Sequence, residues 1–488
     1  MAGVINPLTQ EELLAEKFGA PVYLNSRNQI AALSQSFWAE YYASQHTSMI
    51  FDHAEQTFYV YNNANGLFEP KSDHTVRKEI ANLLIKSSME WKYDNLIPGG
   101  QWSNWYGLQR HAGARVINEI IQILKGSRLE RDAFKQKHKT IIHLATGMLE
   151  LQKDGSVISK EFSPDYRSRN ASPISYDPQA SCPQFKEKIL GHLSEEDQLA
   201  VQKYAGQCFL GRNLTQTILI LWGIGGASKG AFVRILKGLI GESNVGQLRT
   251  NQLEGRFEIS RYANRTLLVG PYVKPDFLSN DGATILKGII GGDTFDIEHK
   301  NSNATATAEG IWNAVVTANT NLKLQLHDDE EAWRRRLIII YYDKPFTGNQ
   351  DPDIGVRLLR EEGSGILNWA IEGAKKLLAD GRFILSDKQK DRVEKMINES
   401  KSLGLFLNEE MYRAESLDLT TNEIVDRYYQ FCSHHEWMPV AEPKLRNELK
   451  VMITSKFGVT ESNSIDRGGK DHRGFRGVAL RVAIEAME

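Results

Sequence analysis

The residues best suited to chemistry lie in one short run. The strand-like stretch TQTILILW leads into Gly223-Ile224-Gly225-Gly226-Ala227-Ser228-Lys229-Gly230, and a helical pattern, KGAFVRILKGLIG, follows. Small residues between a strand and a helix let backbone N–H groups converge on phosphate oxygens, and the helix N-terminus adds a favourable dipole. A lysine there can neutralise β- and γ-phosphates, and a Ser or Thr hydroxyl can hold Mg²⁺. Against the pattern G-x-x-x-x-G-K-[ST], Gly223 is the first glycine and Lys229 the lysine. Ser228 stands where the second glycine belongs, and Gly230 stands where the hydroxyl belongs. The run reads as a phosphate loop suited better to binding than to hydrolysis. An ordinary glycine-rich strand–helix turn is the alternative.

The elements around this loop follow from hydrophobic period. From about residue 205 to 345 short apolar runs (TILILWG, NRTLLVG, IWNAVVTAN, RRRLIIIYY) alternate with helical stretches (KGAFVRILKGLIG, GATILKGIIGG). That alternation predicts an α/β domain with a mainly parallel sheet. Ahead of it, DHTVRKEIANLLIKSSMEW and ARVINEIIQILKG carry apolar residues at helical spacing. FYVYNNANGLFEP reads as two strands around a polar turn. Residues 155–184 are dense in Ser, Pro and Asp and read as a connector. Beyond 346, DIGVRLLREEG and GILNWAIEGAKKLLADG are helical by period. The end of the chain places two helices (TTNEIVDRYYQFCSHH and PKLRNELKVMITSKFG) before a basic, glycine-rich hairpin.

These readings divide the chain into a mostly helical N-terminal module (1–155), a connector and helical collar (156–204), the α/β domain (205–345), a helical subdomain (346–400) and a winged-helix-like basic module (401–488).

Composition sets bounds on partners and compartment. At about 100–200 residues per domain, 488 residues make about three domains. Lys plus Arg number 59 and Asp plus Glu 61, so nucleic-acid contact must use local basic patches rather than a general cationic surface. Cys182, Cys208 and Cys432 are far apart and odd in number, which argues against a disulfide framework or a zinc site and for a reducing, cytoplasmic setting. The N-terminal stretch lacks a basic segment and a long apolar run, so a signal peptide is not expected. The longest apolar runs are too short for a bilayer, so no membrane partner is expected either. Asn170-Ala171-Ser172 matches a glycosylation pattern by chance in such a setting.

The order of motifs over roughly residues 50–345 resembles the superfamily 3 helicase domain of the phage, plasmid and poxvirus primase-helicases. TIIHLATGMLEL at 140–151, followed by SPDYRSRNASPISYDPQASCPQF, looks like the end of that family's helical module. The resemblance implies an AAA+-like P-loop domain binding ATP and Mg²⁺. It also implies assembly into a ring, with a hexamer expected, and action on single- or double-stranded DNA in replication. Residue by residue, Lys229 matches the phosphate-loop lysine, with Gly223, Gly225, Gly226, Ser228 and Gly230 around it. Asn319 in VVTANTN matches the polar sensor that orients an attacking water. Arg335 and Arg336, in Trp333-Arg334-Arg335-Arg336, match the arginine finger that reaches a neighbour's γ-phosphate. GATILKGIIGGDTFDIEHK resembles the segment leading to a DNA-gripping hairpin. Lys287 and Asp293 fall at its recurrent positions, and His299 and Lys300 fall near the tip, where cations can hold single-strand phosphates.

Two departures bear on catalysis. The strand Thr266–Val269 should lead straight to carboxylates for Mg²⁺, but Gly270-Pro271-Tyr272-Val273-Lys274-Pro275 follows, and Asp276 comes late. With Gly230 in place of a hydroxyl, both usual protein ligands to Mg²⁺ are missing from their expected positions, and Asp276 or water is the substitute. No carboxylate set for primer synthesis is recognisable, so no primase activity is expected of this chain, which leaves room for a separate primase or polymerase partner.

Local alternatives stay open. The arginine run follows Asp328, Asp329, Glu330 and Glu331 and reads equally as an acid-paired surface. Asn319 reads also as a turn cap, and His299-Lys300 as an exposed tip without a ligand. In the C-terminal hairpin Arg467, Lys470, Arg473 and Arg476 face only Asp471 and read as a DNA-backbone contact, with Arg473 and Arg476 the candidates, or as a solvated loop. Two functions fit: an ATP-driven DNA helicase or translocase, and a hydrolysis-deficient DNA-binding ring or scaffold on the same fold.

Overall fold

The computed structural model describes residues 9–27, 29–90, 108, 110–134, 140–152, 154–278, 282–298, 305–320, 322–324, 326, 329–344 and 351–481. It is a mixed α/β structure with several sheets, and the sheet that carries the phosphate-loop candidate is parallel.

That sheet has five strands, in the order Val245–Gln247, Leu267–Gly270, Asn313–Ala318, Ile218–Gly223, Leu337–Tyr342. Every adjacent pair is parallel. Parallel sheets are covered on both faces, which is why their strands are apolar runs rather than alternating ones. The central strand shows it: Leu219 and Leu221 enter one core, with Phe232, Leu236 and Leu358, while Ile218 and Ile220 enter the other, with Leu286, Ile289 and Trp333. The helices Lys229–Ile240, Gly282–Gly291 and Ile354–Asp380 supply much of that cover.

Two helical stretches after residue 346 form one continuous helix, Ile354–Asp380. It lies against Glu195–Phe209 with the backbones almost touching. A Cβ on Gly206 would fall 2.2 Å from the Ala374 nitrogen, so only glycine permits this approach. The start of the long helix reaches the helix Lys229–Ile240, where the Leu359 side chain occupies the space a Cβ on Gly238 would need. Residues 351–354 are thereby carried to the carboxyl end of the sheet.

The first 155 residues carry four helices together with eight strands among the described residues. FYVYNNANGLFEP forms the antiparallel pair Thr57–Asn62 and Leu67–Lys71. DHTVRKEIANLLIKSSME is a helix burying Val76, Ile80 and Leu84, as its period requires. TIIHLATGMLEL is not helical: Ile141–Leu144 and Gly147–Leu151 pair antiparallel around Ala145-Thr146. Ile142, His143, Leu144, Met148, Leu149 and Leu151 are buried, and the turn residues Ala145 and Thr146 between the strands are exposed.

Near the C-terminus the helices Thr421–His434 and Glu442–Phe457 are followed by the hairpin Glu461–Asp466 and Asp471–Leu480. Met411–Thr420 pairs on the other side of the last strand. No helix among the described residues is long and apolar enough to cross a membrane.

Candidate phosphate-binding site

Gly223 ends the central strand and opens the loop. Its φ of 143° suits glycine, and a Cβ there would lie 2.1 Å from the Tyr342 carbonyl oxygen, so a side chain at this position has no room. Gly226 and Ser228 also have positive φ, 77° and 65°. Ser228 takes the left-handed conformation immediately before the helix Lys229–Ile240 and makes no side-chain cap. The N–H groups of the first helical turn are thus left facing out of the loop.

Lys229 is 5% exposed. Its ammonium donates to the carbonyl oxygens of Gly223 at 2.8 Å and Ile224 at 2.7 Å. No carboxylate pairs with it among the described residues, and burial alone lowers its pKa from the usual lysine value. A desolvated cation bound only to neutral acceptors is a charge without its counter-ion.

The loop opens on a cavity of about 970 Å³. Gly225, Gly226, Ser228, Lys229, Gly230 and Asn319 all line it, so residues about 90 positions apart in sequence meet here. Asn319 is exposed just past the end of Asn313–Ala318. Gly230 faces open space, since a Cβ there would meet nothing within 4 Å. Gly223 does not line the cavity and serves to pack the loop against Leu337–Tyr342.

The expected acidic strand end is built differently. Tyr272 has a φ of 50°, an uncommon conformation for an aromatic residue, and its side chain is 72% exposed at the cavity. Thr317 holds it there: the Tyr272 N–H donates to Thr317 Oγ1 at 2.9 Å, and the Val273 N–H donates to the Thr317 carbonyl at 2.9 Å. Asp276 is exposed and does not line the cavity.

The lining residues that the sequence does not single out include Arg234, Lys237, Glu242, Thr317 and Asp351. Gly230, Arg234 and Lys237 recur at helical spacing on the phosphate-loop helix, a signal that could have found the two cations. Asp351 comes from beyond the sheet, and nothing local announced it. Both carboxylates are engaged, Glu242 with Lys237 at 2.9 Å and Asp351 with Arg357 at 2.8 Å. The arginine interaction, by hydrogen bond first, lowers the Asp351 pKa.

The remaining candidates lie elsewhere. Arg334, Arg335 and Arg336 close the helix Glu330–Arg336 and have three different fates. Arg334 pairs with Glu330, Glu331 and Glu394. Arg336 is 8% exposed, donates to the Ala332 carbonyl at 3.1 Å and has a buried Nε without a partner, and its burial, ahead of the charge on Arg335, depresses its pKa. Arg335 is exposed and forms no ion pair among the described residues. Lys287 is paired with Asp329 and lies 5.6 Å from the centre of the Trp333 ring. The hairpin after Gly282–Gly291 is present as Thr294–Glu298 and Thr305–Glu309. His299, Lys300 and Asp328 lie outside the described residues. In the C-terminal hairpin Arg467 is bound to Asp418 and Glu423. Arg473 and Arg476 are exposed and reach only Asn463 and the Ser464 backbone and hydroxyl.

A protein family described as a family of unknown function, DUF5906, matches residues 221–336, the span from the phosphate loop to the arginine run. No curated protein matches the chain. Among solved structures, an apo form of the NrS-1 C-terminal region aligns at 11% identity over 90% of this chain and 98% of that one, with a TM-score of 0.47. Two further apo structures of that region align at 12% and 13% identity with TM-scores of 0.46 and 0.45. Likeness of this size decides nothing about what this chain does.

Proposed function

We propose that the chain binds a nucleoside triphosphate, ATP first among them, at Gly223–Gly230, and that it acts as a helicase-like, DNA-handling ring in the replication of a phage, plasmid or other mobile element. The observation that carries the proposal is Lys229. It is a buried ammonium without an acidic partner, at the N-terminus of a 12-residue helix, on a cavity of about 970 Å³. A phosphate group would supply the missing anion, and the helix end would favour it.

The parallel sheet supports the reading, because ligands of such sheets gather beyond the carboxyl ends of the strands. The P-loop and AAA+ character and the winged-helix role of residues 401–488 belong to the same proposal, as does a five-part domain division. In a ring, Arg335 is the arginine available to a neighbouring protomer's phosphate. The DNA-facing groups are the 294–309 hairpin and the exposed Arg473 and Arg476. A separate primase or polymerase completes the set of partners, and the setting is the cytoplasm.

Of the two functions that fit the sequence, the geometry favours the one without turnover. Position 230 offers no hydroxyl, Tyr272 occupies the acidic strand end, and the two carboxylates on the cavity are each paired with a cation. The first test is titration of a fluorescent ATP analogue into the full chain. Lys229→Ala weakens binding about tenfold to a hundredfold, the value of a charge-assisted bond to phosphate; unchanged affinity sinks the site. The second test is ATP turnover with Mg²⁺ and single-stranded DNA. Turnover at buffer background is expected, and DNA-stimulated hydrolysis that Lys229→Ala abolishes would restore the motor reading.

A further inference from the structure

Magnesium is the usual companion of a triphosphate in a phosphate loop, so the donor set around the cavity has to be weighed for it. Mg²⁺ demands near-octahedral oxygen ligands and is bound through one or two carboxylates together with phosphate oxygens. Here the residues do not fit. Gly230 brings no hydroxyl. The backbone at the end of Leu267–Gly270 is turned by Thr317 so that Tyr272, not a carboxylate, faces the cavity. Asp276 lies off the cavity, Asp351 is held by Arg357, and Glu242 is held by Lys237. No group of three or more His, Cys, Asp or Glu side chains suited to a metal occurs among the described residues.

The cavity is supplied with cations instead. Lys229 has no acidic partner among the described residues. Arg234 lies one turn beyond Gly230 on the cavity face of the helix, and its Nη1 donates to the Pro352 carbonyl. Its Nη2 and Nε make no hydrogen bond among the described residues, and a guanidinium presents such donors as a planar fork matched to phosphate. The outward N–H groups of the first helical turn add to these two charges.

We infer that the triphosphate is held without a metal ion, with Lys229 and Arg234 taking the charge-neutralising role that Mg²⁺ has elsewhere. The inference rests on the nucleotide-binding reading above and specifies the ligand as the metal-free nucleotide. The experiment is titration of a fluorescent ATP analogue into the full chain, once in EDTA and once in Mg²⁺. Affinity equal within about threefold is expected, and affinity at least about tenfold weaker in EDTA would overturn the inference while leaving nucleotide binding intact. No binding in either buffer would overturn both.

Arg234→Ala is expected to weaken binding about tenfold in EDTA. Undiminished affinity of that variant in EDTA would remove Arg234 from the site and the inference with it. The double variant Gly230→Ser, Tyr272→Asp provides the converse test. Position 230 has room for the side chain, and aspartate tolerates the backbone conformation at 272. Its binding is expected to become tighter with Mg²⁺. If the double variant stays as indifferent to the metal as the parent, these two positions are not the reason for that indifference, and the structural argument falls.

Discussion

Two turns leave the carboxyl end of the same sheet, and both put a non-glycine residue at positive φ. In Gly223–Gly230 it is Ser228, at 65°; in Gly270–Asp276 it is Tyr272, at 50°. What holds them differs. The first turn is shaped by its own glycines, by the steric wall of Tyr342 and by one hydrogen bond from the Ile224 N–H to the Tyr342 carbonyl, with Ser228 unanchored by any cap. The second is held from outside, through two hydrogen bonds to Thr317 on a neighbouring strand. One turn takes most of its shape from its own glycines and leaves the N–H groups of its helix end for a ligand. The other borrows its shape from the sheet and spends its backbone donors on the fold.

The largest effect that would separate the two is at Gly223. An added Cβ would run into the Tyr342 backbone at a φ unfavourable to any L side chain. Steric overlap and backbone strain together put Gly223→Ala at about 3–4 kcal/mol of lost stability. Gly230→Ala, seven residues on, should go the other way, gaining up to about 1 kcal/mol because the added methyl meets nothing and alanine favours the helix. Urea midpoints of the two variants measure the contrast. Equal effects would mean that the loop is not held against Tyr342 at all.

A smaller effect is expected at Thr317. Thr317→Val keeps the shape and removes the acceptor of the Tyr272 N–H. The loss is about 1–2 kcal/mol, typical of a hydrogen bond whose donor is left without a partner. Faster amide exchange of Tyr272 should accompany it, because its N–H loses its partner while the Val273 bond to the Thr317 carbonyl stays. If exchange at Tyr272 is unchanged, the turn is shaped locally after all and the distinction between the two turns disappears.

The same distinction governs what the sequence could tell. The apolar runs at 218–223, 267–270, 313–318 and 337–342 announced the parallel strands, because strands buried on both faces have little choice of residue. The turn at Gly223–Gly230 was legible because glycine at positive φ is a local requirement. Lys229, Gly225, Gly226, Ser228, Gly230 and Asn319 do reach one cavity. What was not legible depends on tertiary placement. Asp351 comes to the cavity only because a 27-residue helix docks against the phosphate-loop helix. The three consecutive arginines are alike in sequence, yet the neighbours Glu394 and Gly291 lock one and bury another. TIIHLATGMLEL, which by resemblance falls at the end of a helical module, pairs instead as two antiparallel strands.

Ser228 offers the finest test of the comparison, because two opposing terms nearly cancel there. A left-handed conformation costs a non-glycine residue about 1–2 kcal/mol, and Ser228→Gly would remove that cost. The glycine in turn makes the unfolded chain more flexible, which removes about 0.4–1 kcal/mol of stability. The net expectation is a gain of roughly 0.5 kcal/mol in a denaturant titration. Nucleotide affinity should be unchanged or better, because the backbone that faces the cavity keeps its course. A clear loss of stability in this variant would mean that the serine side chain has a partner in the folded protein. Ser228 would then be anchored from outside as Tyr272 is, and the difference between the two residues would have to be abandoned.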